Sequence, residues 1–403
     1  MGRKKQMSEK ATKIPQIRFD GYTDAWEQRK LGDEAEILAG GDIDKVKLRE
    51  TGKYPVFANA LTNDGIVGYY DDEFRVEAPA VTVTGRGDVG HAQARKINFT
   101  PVVRLLSVKS KHDVDFLENA INNHKVLVES TGVPQLTSPQ LGNYKIWFTT
   151  LEEESKIGNF FSQLDHLITL HQRECDLLAK MKKSYLQKMF PKNGEDKPEI
   201  RFDGYTDAWE ERKLLDNVDK VLDYRGKSPT KFGMEWGTEG YLVLSALNVK
   251  NGYIDKSVEA KYGDQELFER WMGSNRLEKG DVLFTTEAPL GNVAQVPDDK
   301  GYILNQRAVA FKSSKDTDNN FFAQLLRSPI VQNTLNANSS GGTAKGIGMK
   351  EFAKLNAHVP KTFEEQQKIG SFFKQLDNTI ALHQRELDSL KKMKKSLLQM
   401  MFV

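Results

Sequence analysis

Two stretches of the chain repeat the same heptad spacing of apolar residues. In the first, steps of four and three lead from Ile157 to Met189, and in the second they lead from Ile369 to Met401. Each copy places eight apolar residues at ten such positions, which predicts a long helix with one narrow apolar seam. The main seam residues are Ile157, Phe161, Leu164, Ile168, His171 and Leu178 in the first copy, and Ile369, Phe373, Leu376, Ile380, His383, Leu387 and Leu390 in the second.

Charge predicts how these two helices pair. Both copies begin with glutamates, at 152–154 and 364–365, and both have lysines near their ends. Parallel pairing would bring like charges together, whereas antiparallel pairing sets each acidic start beside a basic end. We therefore predict an antiparallel coiled coil. Each seam contains one histidine, which we assign to packing or register and not to a metal, because no further ligands stand at suitable spacing.

A second repeat precedes each lobe of the chain. The segment IRFDGYTDAWEQRKL at 17–31 returns at 200–214 with fourteen of fifteen positions identical. Its tryptophan predicts an anchor packed into each lobe, and Asp24 is a candidate helix cap. The chain thus contains two cycles of opening motif, lobe and helix, with a cyclic pseudo-twofold organisation. The predicted segments are a lead at 1–16, a first recognition domain at 17–150, a helix at 151–190, a linker at 191–199, a second recognition domain at 200–362 and a helix at 363–403.

Between these repeats the pattern is that of mixed α/β (α+β) lobes. Short apolar or alternating runs predict strands at 54–58, 80–84 and 102–108 in the first lobe, followed by a helix at 114–124. In the second lobe strands are predicted at 241–244, 281–285 and 308–311, with a helix at 319–335. The segment 282–294 aligns with 81–93. The two lobes are therefore expected to share one plan despite their different sequences.

Composition narrows the class of protein. The chain has 403 residues, of which 38% are hydrophobic and 28% charged, and no apolar run approaches the length of a membrane span. We expect a cytoplasmic protein without membrane contact. The net charge is only +2, so binding to nucleic acid would have to use local basic patches. The single cysteine, Cys175, excludes an internal disulfide.

The sequence offers little catalytic chemistry. The glycines at 85–90 fit GxGxxG, but no helical pattern follows them, so a tight strand-turn-strand is predicted. Asp255, Glu259 and Lys261 only weakly echo a metal nuclease, and we assign no catalytic residue and no cofactor to this chain. Loops that combine glycine, cations and amides are better suited to DNA. The DNA-binding candidates are Lys45, Lys47, Arg49, Arg86, Gly87, Arg95, Gly132, Arg225, Lys227, Asn305, Gln306, Arg307, Thr343 and Lys345.

The ordered motifs resemble the specificity subunit of type I restriction-modification systems. The resemblance rests on the tryptophan-bearing opening motif, on GDVLFTTEAPLGNVAQV from Gly280, and on the helix starts EEESKIGNFFSQLD and EEQQKIGSFFKQLD. It implies that each lobe recognises one half of an interrupted double-stranded DNA target, while the helices act as a spacer and bind modification (methyltransferase) subunits, two in number. It further implies restriction subunits, with S-adenosylmethionine, ATP and magnesium used by these partner chains.

Two other functions stay open at this stage. One is a single-chain nuclease or methyltransferase, which would modify DNA without partners. The other is a coiled-coil scaffold whose lobes bind protein, which would show no sequence-dependent affinity for DNA.

Overall fold

The computed structural model describes residues 12–124, 134–258, 260–342 and 344–402. The chain divides into two compact units. The first unit comprises Met1–Gln172 with Arg385–Val403, and the second comprises Arg173–Gln384. Both boundaries fall inside a long helix, so each unit contains part of both helices. Among the described residues, none of the helices is long and apolar enough to cross a membrane.

The first unit is built on a four-stranded antiparallel sheet in the order β3-β9-β6-β7. A second sheet, β5-β4-β8, pairs β4 with β5 antiparallel and with β8 parallel, and a third, β1-β2-β10, is antiparallel. Its strands are β1 Thr12–Lys13, β2 Trp26–Lys30, β3 Ala35–Ala39, β4 Tyr54–Phe57, β5 Ile66–Tyr70, β6 Ala80–Thr84, β7 Ala92–Arg95, β8 Thr100–Pro101, β9 Leu105–Ser110 and β10 Lys145–Phe148; its helices are α1 Leu31–Glu34, α2 Val114–Asn122, α3 Ser138–Gly142 and the start of α4 Leu151–Lys188.

The second unit repeats this plan. Its sheets are β12-β18-β15-β16, β14-β13-β17 and β11-β19, and β13 pairs parallel with β17 as β4 does with β8. The strands are β11 Glu210–Lys213, β12 Val218–Asp223, β13 Tyr241–Leu244, β14 Tyr262–Gly263, β15 Val282–Thr285, β16 Val293–Gln295, β17 Ile303–Leu304, β18 Ala308–Ser313 and β19 Asn356–Val359; the helices are α5 Gln265–Met272, α6 Asn319–Arg327, α7 Pro329–Ala337, α8 Met349–Phe352 and α9 Phe363–Met401. Short 3₁₀ turns lie at Thr62–Gly65, Leu214–Asn217 and Pro229–Phe232.

An aromatic cluster closes the core of each unit. In the first unit, Phe402 just beyond the end of α9 packs against Trp26, with 6.1 Å between ring centroids, and stacks on Phe116 at 5.4 Å. In the second unit, Phe190 just beyond α4 packs in the same way on Trp209 at 6.0 Å and on Phe321 at 5.9 Å. The prediction that the tryptophan of the opening motif is a packed anchor is confirmed, since Trp26 is fully buried and Trp209 nearly so.

The opening motif is also fixed to the start of each long helix. In the first unit Arg18 forms a two-pronged ion pair with Glu153, at 2.6 and 2.8 Å. In the second unit Arg201 holds Glu365 in the same geometry, at 2.7 and 2.9 Å. Both glutamates are almost completely buried. A buried carboxylate requires such a partner, because removing its hydration without compensation costs several kcal/mol.

Within each unit the two helices run antiparallel, as their charges predict. In the first unit Asp165 binds Lys394 at 2.6 Å, while His171, further along α4, faces Glu386, earlier in α9. In the second unit Glu174 faces His383, and Lys182 contacts Asp377. None of the predicted seam residues is exposed.

Three local predictions are corrected by the structure. Asp24 caps no helix, because the chain enters strand β2 at Trp26. The helix predicted at 319–335 is two helices that meet at Ser328, because Pro329 has no N–H with which to continue α6. The strand predicted at 102–108 begins only at Leu105, because Arg104 adopts a left-handed backbone with φ of 71°.

Candidate nucleic-acid interface

A cationic pocket opens at one end of the main sheet in the first unit. Its volume is about 910 Å³, and its lining includes three cations, Lys45, Arg86 and Arg104, together with Gly87 and one carboxylate, Asp42. Both arginines are exposed. Within the described part of the chain, neither guanidinium has an ion-pair partner. The pocket therefore presents hydrogen-bond donors and positive charge to solvent, as a phosphate or the acceptor edge of a base requires.

Asn59 holds the two walls of this pocket together. Its side-chain oxygen accepts a hydrogen bond from the Gly85 N–H at 2.8 Å, and its amide donates to the Val103 carbonyl at 3.1 Å. Gly85 is required at this point, because a Cβ there would lie 2.2 Å from the carbonyl oxygen of Arg104. The loop that carries Arg86 is thus fixed to the segment that carries Arg104.

The second unit has a pocket of about 200 Å³ in the matching place. Its lining includes Asn305, Gln306 and Arg307, and it also includes Lys261. Arg307 adopts a left-handed backbone with φ of 68°, and its Nε lies 2.9 Å from Oε1 of Glu287. This pocket therefore offers acceptors as well as donors.

Backbone hydrogen bonds establish that the two pockets are equivalent. Gly90 N–H donates to Thr84 O at 2.8 Å, and Gly291 N–H donates to Thr285 O at 2.9 Å. These bonds close the same turn after β6 and after β15, which confirms the predicted alignment of 81–93 with 282–294. The predicted strand-turn-strand is likewise confirmed, because β6 and β7 pair antiparallel across it.

Several predicted DNA-binding residues meet at these pockets. Lys45, Arg86 and Gly87 line the first, and Asn305, Gln306 and Arg307 line the second. Lys345 is exposed and precedes Gly346, which pairs with Glu287. Their contact with DNA stays a prediction.

Other candidates lie elsewhere or are committed to internal contacts. Lys47 pairs with Glu73 at 3.3 Å, and Arg49 lies beside β5, bridged to Tyr69. Arg225 binds Asp223, with 2.8 Å between Nε and Oδ2. Gly132 and Thr343, like Glu259, lie outside the described residues.

Arg95 and Lys227 are two further candidates whose cationic groups make internal contacts. Arg95 is buried, with its Nη1 2.8 Å from Asp64 Oδ2 and its guanidinium 3.7 Å from the centre of the Phe57 ring. Lys227 donates from Nζ to the Trp271 carbonyl at 2.9 Å. Arg95 thus belongs to the interior of the first unit, whereas Lys227 is partly buried, and contact of either cation with DNA stays a prediction.

Sequence reasoning missed Arg104, Glu287 and Asn59. Aligning β9 with β18, with two extra residues allowed in the second lobe, pairs Arg104 with Arg307, which was a detectable signal. Asn59 gave no such signal, because its two partners lie 26 and 44 residues away along the chain.

Two copies of one mixed α/β lobe, with matching pockets lined by different side chains, define a duplicated recognition protein. The family described as the type I restriction modification DNA specificity domain matches residues 23–179 and again residues 206–392. The chain therefore belongs to the type I restriction-modification specificity family.

Individual relatives agree with this assignment. The chain is 24% identical over 289 residues to the type I restriction enzyme MjaVIII specificity subunit of Methanocaldococcus jannaschii, a match that covers 69% of this chain and 65% of that protein. It is 28% identical over 172 residues to S.MpnORF507P of Mycoplasma pneumoniae, also named as a type I specificity subunit, which covers 40% of this chain and 47% of that protein. The matched segments thus span less than two thirds of either relative.

Solved structures share the fold. The S subunit of a type I restriction-modification system from M. genitalium superposes with a TM-score of 0.69 at 16% identity, over 97% of this chain and 99% of that chain. A chain from a structural study of complex assembly in the type I system gives a TM-score of 0.50 at 14% identity, over 93% of this chain and 96% of that chain.

Proposed function

We propose that this chain confers DNA specificity on a type I restriction-modification complex, with each unit reading one half of an interrupted duplex target. The pair of equivalent pockets carries this proposal. They occupy the same position in the same fold, yet Arg86 and Arg104 line the first, whereas Asn305, Gln306 and Arg307 line the second and Arg307 is bound by Glu287. Since base edges are distinguished by their donors and acceptors, pockets of different chemistry should select different half-sequences.

We propose further that α4 and α9 determine the gap between the half-sequences. A helix of 38 residues is about 57 Å long. Two recognition elements that meet the same groove of a duplex lie about one turn, or roughly 10 base pairs, apart. Removing seven residues from each helix should therefore shorten the gap and leave both half-sequences unchanged. An unchanged gap would contradict the role of the helices as a spacer.

The repeated opening motif and long helix are an argument for two modification subunits. The exposed ammonium of Lys156 lies 4.9 Å from the centre of the Tyr22 ring, and Lys368 lies 4.9 Å from that of Tyr205. Two surfaces of the same composition suit two copies of one partner. We assign methylation, translocation and cleavage to modification and restriction subunits that use S-adenosylmethionine, ATP and magnesium, and we assign no catalysis to this chain. The complex would act on DNA in the cytoplasm.

The experiment is to sequence methylated genomic DNA from cells that express this chain with its modification subunit. We expect adenine methylation at two short, different sequences separated by a fixed number of unspecified bases. The chain expressed alone should leave DNA unmodified. A continuous methylated site, or methylation by the chain alone, would contradict the proposal.

A further inference from the structure

Residues 86 and 287 occupy the same backbone position in the two units. Arg86 pairs as an antiparallel bridge with Gln135, and Glu287 pairs in the same way with Gly346. The preceding residue accepts a backbone hydrogen bond at 2.9 Å in both units, from Leu136 in the first and from Ile347 in the second. In both units the backbone that carries the side chain is therefore fixed by a bridge at the residue itself and by a hydrogen bond at the residue before it.

The arginine opposite this position is also retained in both units. Arg104 and Arg307 directly precede β9 and β18, and both have the positive φ that side-chain-bearing residues rarely adopt. The lobes differ in length and sequence, yet both keep an arginine in this conformation. A strained backbone maintained at a pocket points to a functional constraint.

The charge at position 86/287 differs between the units. In the first unit, Arg86 and Arg104 line the pocket without an ion-pair partner among the described residues, although Asp42 lines the same pocket. In the second, Arg307 Nε is bound to one oxygen of Glu287, and Oε2 of Glu287 has no hydrogen bond within the described part of the chain. Side-chain exposure is 55% for Arg307 and 47% for Glu287. An ion pair this exposed adds little stability, but it orients the carboxylate and leaves it within reach of a ligand.

We propose that these two positions are specificity-determining residues, with Arg86 recognising guanine and Glu287 recognising the amino group of cytosine. This rests on the proposed function above. A guanidinium has only donors, and it matches the O6 and N7 acceptors that guanine displays in the major groove. A carboxylate has only acceptors, and it matches the N4 amino donor of cytosine. One position of the fold thus selects opposite chemistry in the two half-sites.

The test for the first unit uses Arg86→Lys and Arg86→Ala in the complete complex with its modification subunit. Lysine keeps the charge but not the two-pronged geometry of arginine. We expect both variants to lose on the order of ten- to a hundredfold preference for guanine at one position of one half-site. The other half-site and the gap should stay as in the wild type. Lys109→Ala, which removes an exposed cation paired with Glu77 outside the pocket, is the matched control and should leave the motif unchanged.

The test for the second unit uses Glu287→Gln, which has nearly the same shape but gains donors. We expect it to relax a cytosine position in the other half-site only, and Glu351→Gln, at an exposed site on α8, should have no effect. An unchanged motif in the Arg86 and Glu287 variants would overturn the inference. The inference would also be overturned if the variants methylated all sites less well without losing preference for any one base, because that result would indicate phosphate contacts. A wild-type complex with a continuous target would instead contradict the proposed function itself, so the two failures are distinguishable.

Discussion

The two units place different chemistry at one buried position beneath the start of each long helix. In the first unit His112 lies between two carboxylates, with Nδ1 2.7 Å from Glu154 and Nε2 3.2 Å from Glu34. In the second unit the matching residues are uncharged. Thr317 donates to Asn217 at 3.5 Å, and Gln366 accepts from the Asp318 N–H at 3.1 Å.

The same backbone arrangement therefore accommodates either charged or neutral hydrogen-bonding side chains at this buried position. Burial opposes the charge on His112, but the hydrogen bonds that its ring donates to Glu154 and Glu34 outweigh this effect and raise the pKa of the imidazole above its ordinary 6.5. Both ring nitrogens face carboxylates, which suits the protonated form with two donors. The first unit should therefore respond to pH and to loss of one partner more strongly than the second.

The largest effect is expected from the aromatic residues that close the two cores. Phe402→Ala should lower the free energy of unfolding of the first unit by about 3–5 kcal/mol, and Phe190→Ala should do the same to the second, because each leaves a cavity among packed rings. Hydrogen exchange measured by mass spectrometry on peptides of each unit checks this. Leu177→Ala and Leu382→Ala remove exposed leucines from the same helices and serve as controls. If Phe402→Ala reduced protection equally in both units, the assignment of Phe402 to the core of the first unit alone would be contradicted.

A slightly smaller effect is expected when His112 is removed. His112→Ala leaves the Glu154 carboxylate buried without its ion-pair partner, and we expect a loss of about 3 kcal/mol in the first unit. Burial already raises the pKa of Glu154, so proton uptake should limit the cost. Thr317→Ala removes only neutral hydrogen bonds, with Asn217 and Ser314, and should cost the second unit about 1–2 kcal/mol.

A transplant sharpens this result. Replacing the charged network by its neutral counterpart, with His112→Thr, Glu154→Gln and Glu34→Asn together, should restore most of the stability lost in His112→Ala. The measurement is again hydrogen exchange of the first unit. If the triple variant is no more stable than His112→Ala, the networks are not interchangeable.

The pH dependence of the first unit has a defined direction. The raised pKa of His112 adds stability that is complete below 6.5 and is lost as pH rises through the raised value. Burial opposes the charge on Glu34, but His112 and Arg29 lower its pKa below 4.5, so its contribution is lost as pH falls through that lowered value. The raised pKa of Glu154 acts in the same direction as that of His112, because its buried carboxyl costs stability as pH rises above 4.5. The free energy of unfolding of the first unit, followed across this range, should therefore have a maximum that His112→Thr with Glu154→Gln abolishes. Exchange-rate changes of the same size in the second unit would contradict this assignment.

The smallest effect on stability is expected at the left-handed arginines. Arg104→Gly and Arg307→Gly relieve backbone strain but increase the freedom of the unfolded chain, and these opposing effects should leave stability within about 1 kcal/mol of the wild type. Thermal denaturation checks this. A large loss in either variant would mean that the arginine stabilises its unit, and that the pocket is not free to vary.

The pattern of residues along the chain determined much of this protein. Antiparallel pairing of the long helices could be predicted from their heptad seams, acidic starts and basic ends, because periodicity and charge can be read over local spacings. Two lobes with the same fold could be predicted from the repeated opening motif and from the alignment of 81–93 with 282–294. Arg86 and Arg307 were selected from their loops alone.

Only the tertiary structure decided what these residues face. Asn59 joins two segments that are remote in sequence, Arg104 gains its role from a backbone conformation that its own sequence does not predict, and Arg95 is removed from the surface by Asp64. The pairing of His112 with Glu34 and Glu154 likewise joins residues 78 and 42 positions apart. Burial and partner choice depend on contacts between distant segments, and a one-dimensional pattern contains no distances between them.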